Sequence, residues 1–169
     1  MKRAMIIGAV GAGKSSLVRA LFGNPEPARK TQSLEYADWV IDTPGEYSEN
    51  PLFYRSLMAT SFEAALIVLA HDATRERNYF PPGFAGGFPV PAIGVITKID
   101  RPDADVPKAA QMLRSSLPEG EIFAVSSVTM EGMERLRRHL AGCLGIAFAE
   151  EKLADGRSGN GSGESGGPR

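Results

Sequence analysis

The stretch Gly8-Ala9-Val10-Gly11-Ala12-Gly13-Lys14-Ser15 constrains this chain more than any other part of it. It has the pattern G-x-x-x-x-G-K-[ST], with the apolar run Ala4–Ile7 before it and a helical pattern over Ser15–Phe22 after it. Glycines at these places let the backbone curl until its N–H groups converge on one anion. The following helix turns the positive end of its dipole toward the same point. Lys14 is then the cation for the β- and γ-phosphates of a nucleotide, and the Ser15 hydroxyl a ligand for Mg²⁺. Ser16, next in the first helical turn, completes the candidate contact set. At average composition the pattern arises by chance in about one chain of this length in a few hundred, and rarely between a strand and a helix. A glycine-rich turn without a ligand is the weaker reading.

The remaining apolar pattern alternates strands with helices. Strands are expected at Ala4–Ile7, Trp39–Thr43, Ala64–Ala70, Ala92–Thr97 and Ile122–Ser126, and helices at Ser15–Phe22, Leu52–Phe62, Val106–Leu117 and Glu131–Leu144. Ser33–Tyr36 is a further strand, joined to Trp39–Thr43 through a tight turn at Ala37-Asp38. Strands apolar on both faces and separated by helices imply an α/β fold, a mainly parallel sheet covered on both sides. Asp72–Pro91, rich in Pro and Gly, reads as a long loop of the kind that carries function or stays disordered. Residues 1–149 form one domain. Residues 150–169 are mostly Gly, Ser and charged groups, with Leu153 the one large apolar side chain, and read as a flexible tail.

A net charge of −1 advertises neither a nucleic-acid nor a membrane surface. No run approaches the roughly 18 apolar residues of a membrane span. The lone cysteine, Cys143, lies between Leu140 and Leu144 in a helical pattern, which suits core packing in a reducing compartment. A cytoplasmic protein is expected. Ala4 enters the first strand almost at once, so no targeting helix is expected ahead of the domain.

Two further motifs end apolar runs. In Asp42-Thr43-Pro44-Gly45 an Asp at a strand end can hold Mg²⁺, and the Gly45 N–H can meet the γ-phosphate. In Thr97-Lys98-Ile99-Asp100 the Asp100 carboxylate can accept two hydrogen bonds from a guanine edge, a pair of donors that adenine lacks. The Lys98 stem can lie along the base. Ser126 and Ser127 follow the last strand, where a backbone N–H can reach the base. Thr31 is the expected second Mg²⁺-directed hydroxyl, with Ser33 as its competitor.

Other polar residues read more plainly. Glu46 directly follows Gly45, and it could take a proton from water. With Lys14 and Gly45 it makes up the candidate catalytic set, against the simpler reading of a solvated carboxylate. His71-Asp72 lies at a strand end, the edge where such sheets bind ligands, but reads better as a polar exit; His139 is a surface residue on the last helix; Arg75 and Arg77 could meet phosphate but read better as solvated loop charges.

The order of these motifs resembles the TRAFAC-type small GTPase domain. More closely, the chain is similar to the EutP/PduV family of ethanolamine and propanediol utilisation. The residues behind this are Gly8–Ser15, Lys30-Thr31-Gln32-Ser33-Leu34-Glu35, Asp42-Thr43-Pro44-Gly45-Glu46-Tyr47, Pro81-Pro82-Gly83-Phe84 and Ile93–Asp100, over roughly residues 1–145. The resemblance implies a three-layer, Ras-like P-loop NTPase that takes GTP or GDP with Mg²⁺. Its setting is bacterial, beside cobalamin-dependent breakdown of ethanolamine or propanediol in protein-shelled microcompartments. The implied partners are an activating protein or a shell protein. Members are also described as ATP-binding, and an acetate kinase role has been attached to EutP. An ATP-dependent phosphotransferase and an interaction protein with a structural nucleotide therefore stand as alternatives. Thr97–Asp100 favours the guanine switch, since a kinase selecting ATP has no use for a guanine-reading carboxylate.

Overall fold

Consecutive apolar residues in Ala4–Ile7 leave neither side of a strand fit for water, so the strand needs cover on both faces. The computed structural model, which describes residues 1–22 and 39–147, provides it. Strands β1 (Ala4–Ile7), β2 (Val40–Asp42), β3 (Leu66–Asp72), β4 (Ala92–Thr97) and β5 (Ile122–Ala124) form one sheet in the order β2-β1-β3-β4-β5. All four pairings are parallel. The helices are α1 (Lys14–Leu21), α2 (Glu46–Glu49), α3 (Tyr54–Ser61), α4 (Val106–Ser116) and α5 (Met133–Leu144).

Side chains alternate across a strand, and the sheet accordingly divides the core in two. Ala4, Ile6, Val68, Val95 and Phe123 pack with Leu17 and Leu21 of α1 and with Leu136, Leu140 and Leu144 of α5. Met5, Ile7, Ile67, Leu69 and Ile96 pack on the other face with Leu57 of α3 and Leu113 of α4. This is the three-layer arrangement the pattern implies. On the first face Arg137 of α5 donates to the Leu21 and Ala20 carbonyls, at 2.9 and 2.5 Å, and so holds the C-terminal end of α1. The helix that starts at the glycine loop is thereby fixed at its far end.

Several segments differ from expectation, among them α2, where no helix was expected. Leu52–Phe62 is not one helix: a 3-10 turn over Pro51–Phe53 precedes α3. Pro51 has no N–H to give a preceding turn, and the Asn50 side chain caps the new start by accepting from Leu52 N at 3.0 Å. The long Pro- and Gly-rich stretch is also more than a loop. β3 runs on to Asp72, and a 3-10 turn forms over Phe84–Gly87. Phe80, Phe84 and Phe88 are buried in the second core, with ring centroids 5.4 and 5.2 Å apart in succession. Asn78 Nδ2 donates to Met112 O (2.8 Å) and Ser116 Oγ to Phe80 O (3.1 Å), which lash the segment to α4.

His139, expected at the surface, is partly buried with its ring 5.1 Å from that of Phe123. Cys143 packs at the edge of the first core, as expected, with Sγ 3.5 Å from His139 Nε2. The strand Ser33–Tyr36, the turn at Ala37-Asp38, Thr31, Ser33 and the tail lie outside the described residues. Among the described residues no helix is long and apolar enough to cross a membrane.

Candidate functional site

Parallel strands bring all their C-terminal ends to one edge, where open α/β sheets bind ligands. The pairs Ile6–Asp42, Ile7–Leu69 and Asp72–Thr97 set the ends of β1, β2, β3 and β4 side by side. The three sequence motifs leave the sheet there together.

The loop Gly8–Gly13 turns back on itself between β1 and α1. Gly11 and Gly13 have φ of +78° and +87°, a region costly for residues with a Cβ. Gly13 is the left-handed residue before the first turn of α1. Lys14 folds its ammonium into the ring of the loop, donating to Gly8 O at 2.6 Å and Ala9 O at 3.1 Å. Ala9 and Ala12 are buried beneath, while Ser15 and Ser16 are exposed on the first turn of the helix. The result is a cationic cup with an exposed hydroxyl at its rim.

The motif after β4 is bonded to this cup. Thr97, 5% exposed, donates its hydroxyl to Ala12 O at 2.7 Å. Lys98 adopts a left-handed φ of +61°, uncommon without glycine, and Nζ donates to Gly11 O at 2.7 Å and to Asp72 Oδ2 at 2.8 Å. Asp100 is exposed, and its Oδ1 accepts from Ser126 Oγ at 2.8 Å. That hydroxyl is wholly buried and itself accepts from Val128 N and Thr129 N, at 3.1 and 3.0 Å. Of the two backbone N–H groups expected to reach a base, that of Ser126 is instead given to Glu131 O at 3.0 Å, and its hydroxyl holds Asp100. The N–H of half-buried Ser127 is given to none of the described residues.

On the other side of the loop stand β2 and α2. Asp42 ends β2 opposite Ile6, and Thr43 Oγ1 donates to Ile6 O at 2.8 Å. Gly45 lies directly on Val10: a Cβ there would come within 2.6 Å of Val10 N and 2.8 Å of Val10 Cα. Glu46 is exposed in the first turn of α2. Thr31 is outside the described residues. All the other expected site residues meet at this edge.

Three more residues join them: Glu49, which sequence reasoning passed over, and Asp72 and Arg75, for which a site role was the weaker reading. Glu49 Oε1 accepts from Val10 N at 2.9 Å. Asp72, 3% exposed, holds Lys98 and also accepts from Thr74 N (2.8 Å) and Thr74 Oγ1 (2.7 Å). Burial works to raise its carboxyl, but the hydrogen bonds from Lys98 and Thr74 outweigh burial and hold it below the usual carboxylate range. Arg75, read as a solvated loop charge, instead donates to Val10 O at 3.1 Å. The one available signal was position, since Asp72 ends a strand at the same edge as Asp42 and Arg75 follows one turn later. His71 is buried, and its Nε2 has no hydrogen-bond partner.

Comparison with known proteins agrees with this architecture. The family model PduV-EutP, described as ethanolamine utilisation - propanediol utilisation, matches residues 1–142. The Escherichia coli (strain K12) protein named "Probable acetate kinase EutP" is 37% identical over 154 residues, covering 90% of this chain and 97% of that protein. "Propanediol utilization protein PduV" of Citrobacter freundii is 34% identical over 139 residues, 80% of this chain and 91% of its own. Among solved structures, a GTP-binding protein from Sulfolobus solfataricus in complex with GDP superposes with a TM-score of 0.54 at 17% identity, over 85% of this chain and 52% of that one. At that identity the likeness establishes the fold, an α/β P-loop NTPase of the Ras-like type. By its sequence match over most of its length, the chain belongs to the PduV-EutP family of ethanolamine and propanediol utilisation.

Proposed function

We propose that this protein is a cytoplasmic, Mg²⁺-dependent switch that binds GTP and GDP, hydrolyses GTP slowly, and serves ethanolamine or propanediol utilisation through an activating or shell protein partner. The observation that carries the reading is the bonding of the Thr97–Asp100 motif to the glycine loop. Thr97 holds Ala12, Lys98 holds Gly11, and Ser126 orients Asp100. A carboxylate suited to the guanine edge is thus tied to a cup suited to phosphate. A guanine's N1–H and amino group would meet Asp100, and the Ser127 N–H remains available to its carbonyl.

In this reading Lys14 and the N-terminal end of α1 neutralise the phosphates, and Gly45 offers its N–H to the terminal one. The exposed Ser15 hydroxyl is a hard oxygen donor that suits Mg²⁺, with Asp42 and Thr31 as its companions. Held there, Mg²⁺ would supply positive charge to offset what develops on the phosphate. Hydrolysis joins a water oxygen to the terminal phosphorus while the bond to the bridging oxygen breaks. The electron pair passes to the diphosphate, and the water proton leaves with the released phosphate. Glu46, exposed in the first turn of α2, is the group assigned here to orient that water.

The test is titration of the full chain with GTP, GDP and ATP, with and without Mg²⁺, alongside Lys14→Ala and Ser15→Ala. Guanine nucleotides should bind at least about 100-fold more tightly than ATP, since two hydrogen bonds to a charged group are worth about 3 kcal/mol or more. Lys14→Ala should lose most triphosphate affinity, and Ser15→Ala mainly the Mg²⁺ dependence. Equal binding of GDP and ADP, or phosphate transfer from ATP to acetate, would replace this reading.

A further inference from the structure

We infer that Arg75 is a phosphate-contacting residue that this chain supplies to its own site, an arginine that reaches the terminal phosphate from the loop after β3. The inference rests on the nucleotide reading above and goes beyond it, because no sequence motif assigns Arg75.

The local fold aims the side chain. Asp72 ends β3 and accepts from both the N–H and the hydroxyl of Thr74, while Arg75 N donates to Asp72 O at 3.0 Å. This turn reverses the chain at the ligand edge of the sheet and carries Arg75 back over the glycine loop. Its guanidinium then meets residues 65 positions away in sequence: Nη2 donates to Val10 O at 3.1 Å. Nη2 also stands 3.1 Å from where a Gly11 Cβ would be, so a side chain on that residue would crowd it. Nη1 donates to Tyr79 Oη at 3.2 Å, and the guanidinium lies over the Tyr79 ring, 5.9 Å from its centroid.

Val10 marks the terminal-phosphate end of the loop. Gly45, whose N–H is the proposed contact to that phosphate, lies against the Val10 nitrogen and Cα, and Arg75 bonds the Val10 carbonyl. The Val10 N–H is already engaged by an anion, the Glu49 carboxylate. An anion-accepting N–H and a guanidinium therefore lie on the same loop residue.

A bracing role alone accounts poorly for the charge. Asp72 is the anion beside both cations, but it is committed to Lys98 at 2.8 Å and reaches Arg75 Nε only at 3.8 Å. Arg75 keeps most of its charge unspent, with its side chain 39% exposed and held mainly by neutral oxygens. A guanidinium prefers a phosphate to a carbonyl, because the bond is charge-assisted and can be bidentate. A phosphate entering the cup displaces Glu49 and draws the guanidinium off Val10 O. In the transfer step the new bond from water and the breaking bond to the bridging oxygen spread negative charge over the phosphoryl oxygens. Arg75 offsets that charge, and it carries no proton in or out of the balance.

The experiment compares the full-length parent with Arg75→Ala, Arg75→Lys and Arg77→Ala, a neighbouring arginine of the same loop. Three quantities are measured: GDP affinity, formation of the complex of GDP with aluminium fluoride, which mimics the planar phosphoryl group, and single-turnover GTP hydrolysis. Arg75→Ala should keep GDP affinity within about 3-fold and the melting temperature unchanged. It should lose the fluoride complex and slow hydrolysis by roughly 10²–10³-fold, at or below the low end of what arginine fingers supply. Arg75→Lys should restore hydrolysis only in part, and Arg77→Ala should match the parent. Fluoride binding and hydrolysis unaffected in Arg75→Ala would overturn the inference. So would an equal loss of GDP and fluoride affinity with a lowered melting temperature, the mark of a simple brace. Failure of the parent to bind GDP at all would overturn the nucleotide reading and this inference with it.

Discussion

At the β4–β5 end of the glycine loop, Thr97 and Ser126 are buried and their hydroxyls are committed to Ala12 O and to Asp100. At the α2 end, the bond from Val10 N to Glu49 is exposed, Gly45 is half-buried and Glu46 lies in solvent. Buried, fully satisfied networks hold one geometry, because opening them strands polar groups away from water. Exposed bonds exchange with water at little cost, and such regions open first. In the proposed reading, base selection belongs to the rigid end and response to the terminal phosphate to the loose one. A switch needs that division: the nucleotide must stay bound while its terminal phosphate changes what the neighbouring segment does.

The largest effect should come from breaking the rigid end. Asp100→Asn exchanges an acceptor for a donor, so guanine preference should fall by about 10²–10⁴-fold and xanthine nucleotides should gain. Calorimetric titration with GDP, ADP and XDP reads this directly. An unchanged GDP to ADP ratio in the variant would show that the buried end is scaffold and not selector.

A smaller and more lopsided effect is expected at the loose end. In Gly45→Ala the new Cβ would need the space of the Val10 backbone, 2.6 Å from its nitrogen, so the segment has to lift from the loop. A non-hydrolysable GTP analogue should then bind about 10-fold more weakly, roughly 1.4 kcal/mol, with GDP little changed. Parallel losses for both nucleotides would mean that the two ends are not separable.

The smallest effect concerns stability beneath the rigid end. His71 is buried with Nε2 unpartnered, and burial lowers its pKa, against the raising influence of Asp72 and with a further lowering by Arg75. A folded pKa below the unfolded value near 6.5 means that the unfolded chain binds the proton more readily. The stabilisation is complete above pH ~6.5 and is lost as pH falls from there toward the folded value. The lowered Asp72 carboxyl acts in the same direction, but only below its ordinary value of 3.8. Thermal melts should therefore fall by a few degrees between about pH 7 and 5, and His71→Gln should flatten that interval. A slope identical in the variant would assign it to other groups.

Much of the candidate site could be read without coordinates because its motifs are local demands on the backbone. Gly11 and Gly13 are written where left-handed φ is needed, Lys14 and Ser15 where a helix begins, and Asp100 where a strand ends. β1 and β4 fell at the expected residues because unbroken apolar runs have few alternatives. Pro and Gly in the aromatic segment after β3 signal a break in regular structure and say nothing of burial. Phe80, Phe84 and Phe88 find their cover only when α4 is in place.

The sequence by itself therefore determined the glycine loop, the parallel α/β plan and the place of the carboxylate proposed to read the base, since each follows from residue types a few positions apart. Only the tertiary structure decided which partners those residues keep. Lys98 meets Gly11 across 87 positions, Arg75 meets Val10 across 65 and Glu49 meets Val10 across 39. It also gave the Ser126 N–H to Glu131 and left its hydroxyl for Asp100. The physical reason is that the strand order β2-β1-β3-β4-β5 brings distant strand ends to one edge, and no local spacing encodes which side chains meet there.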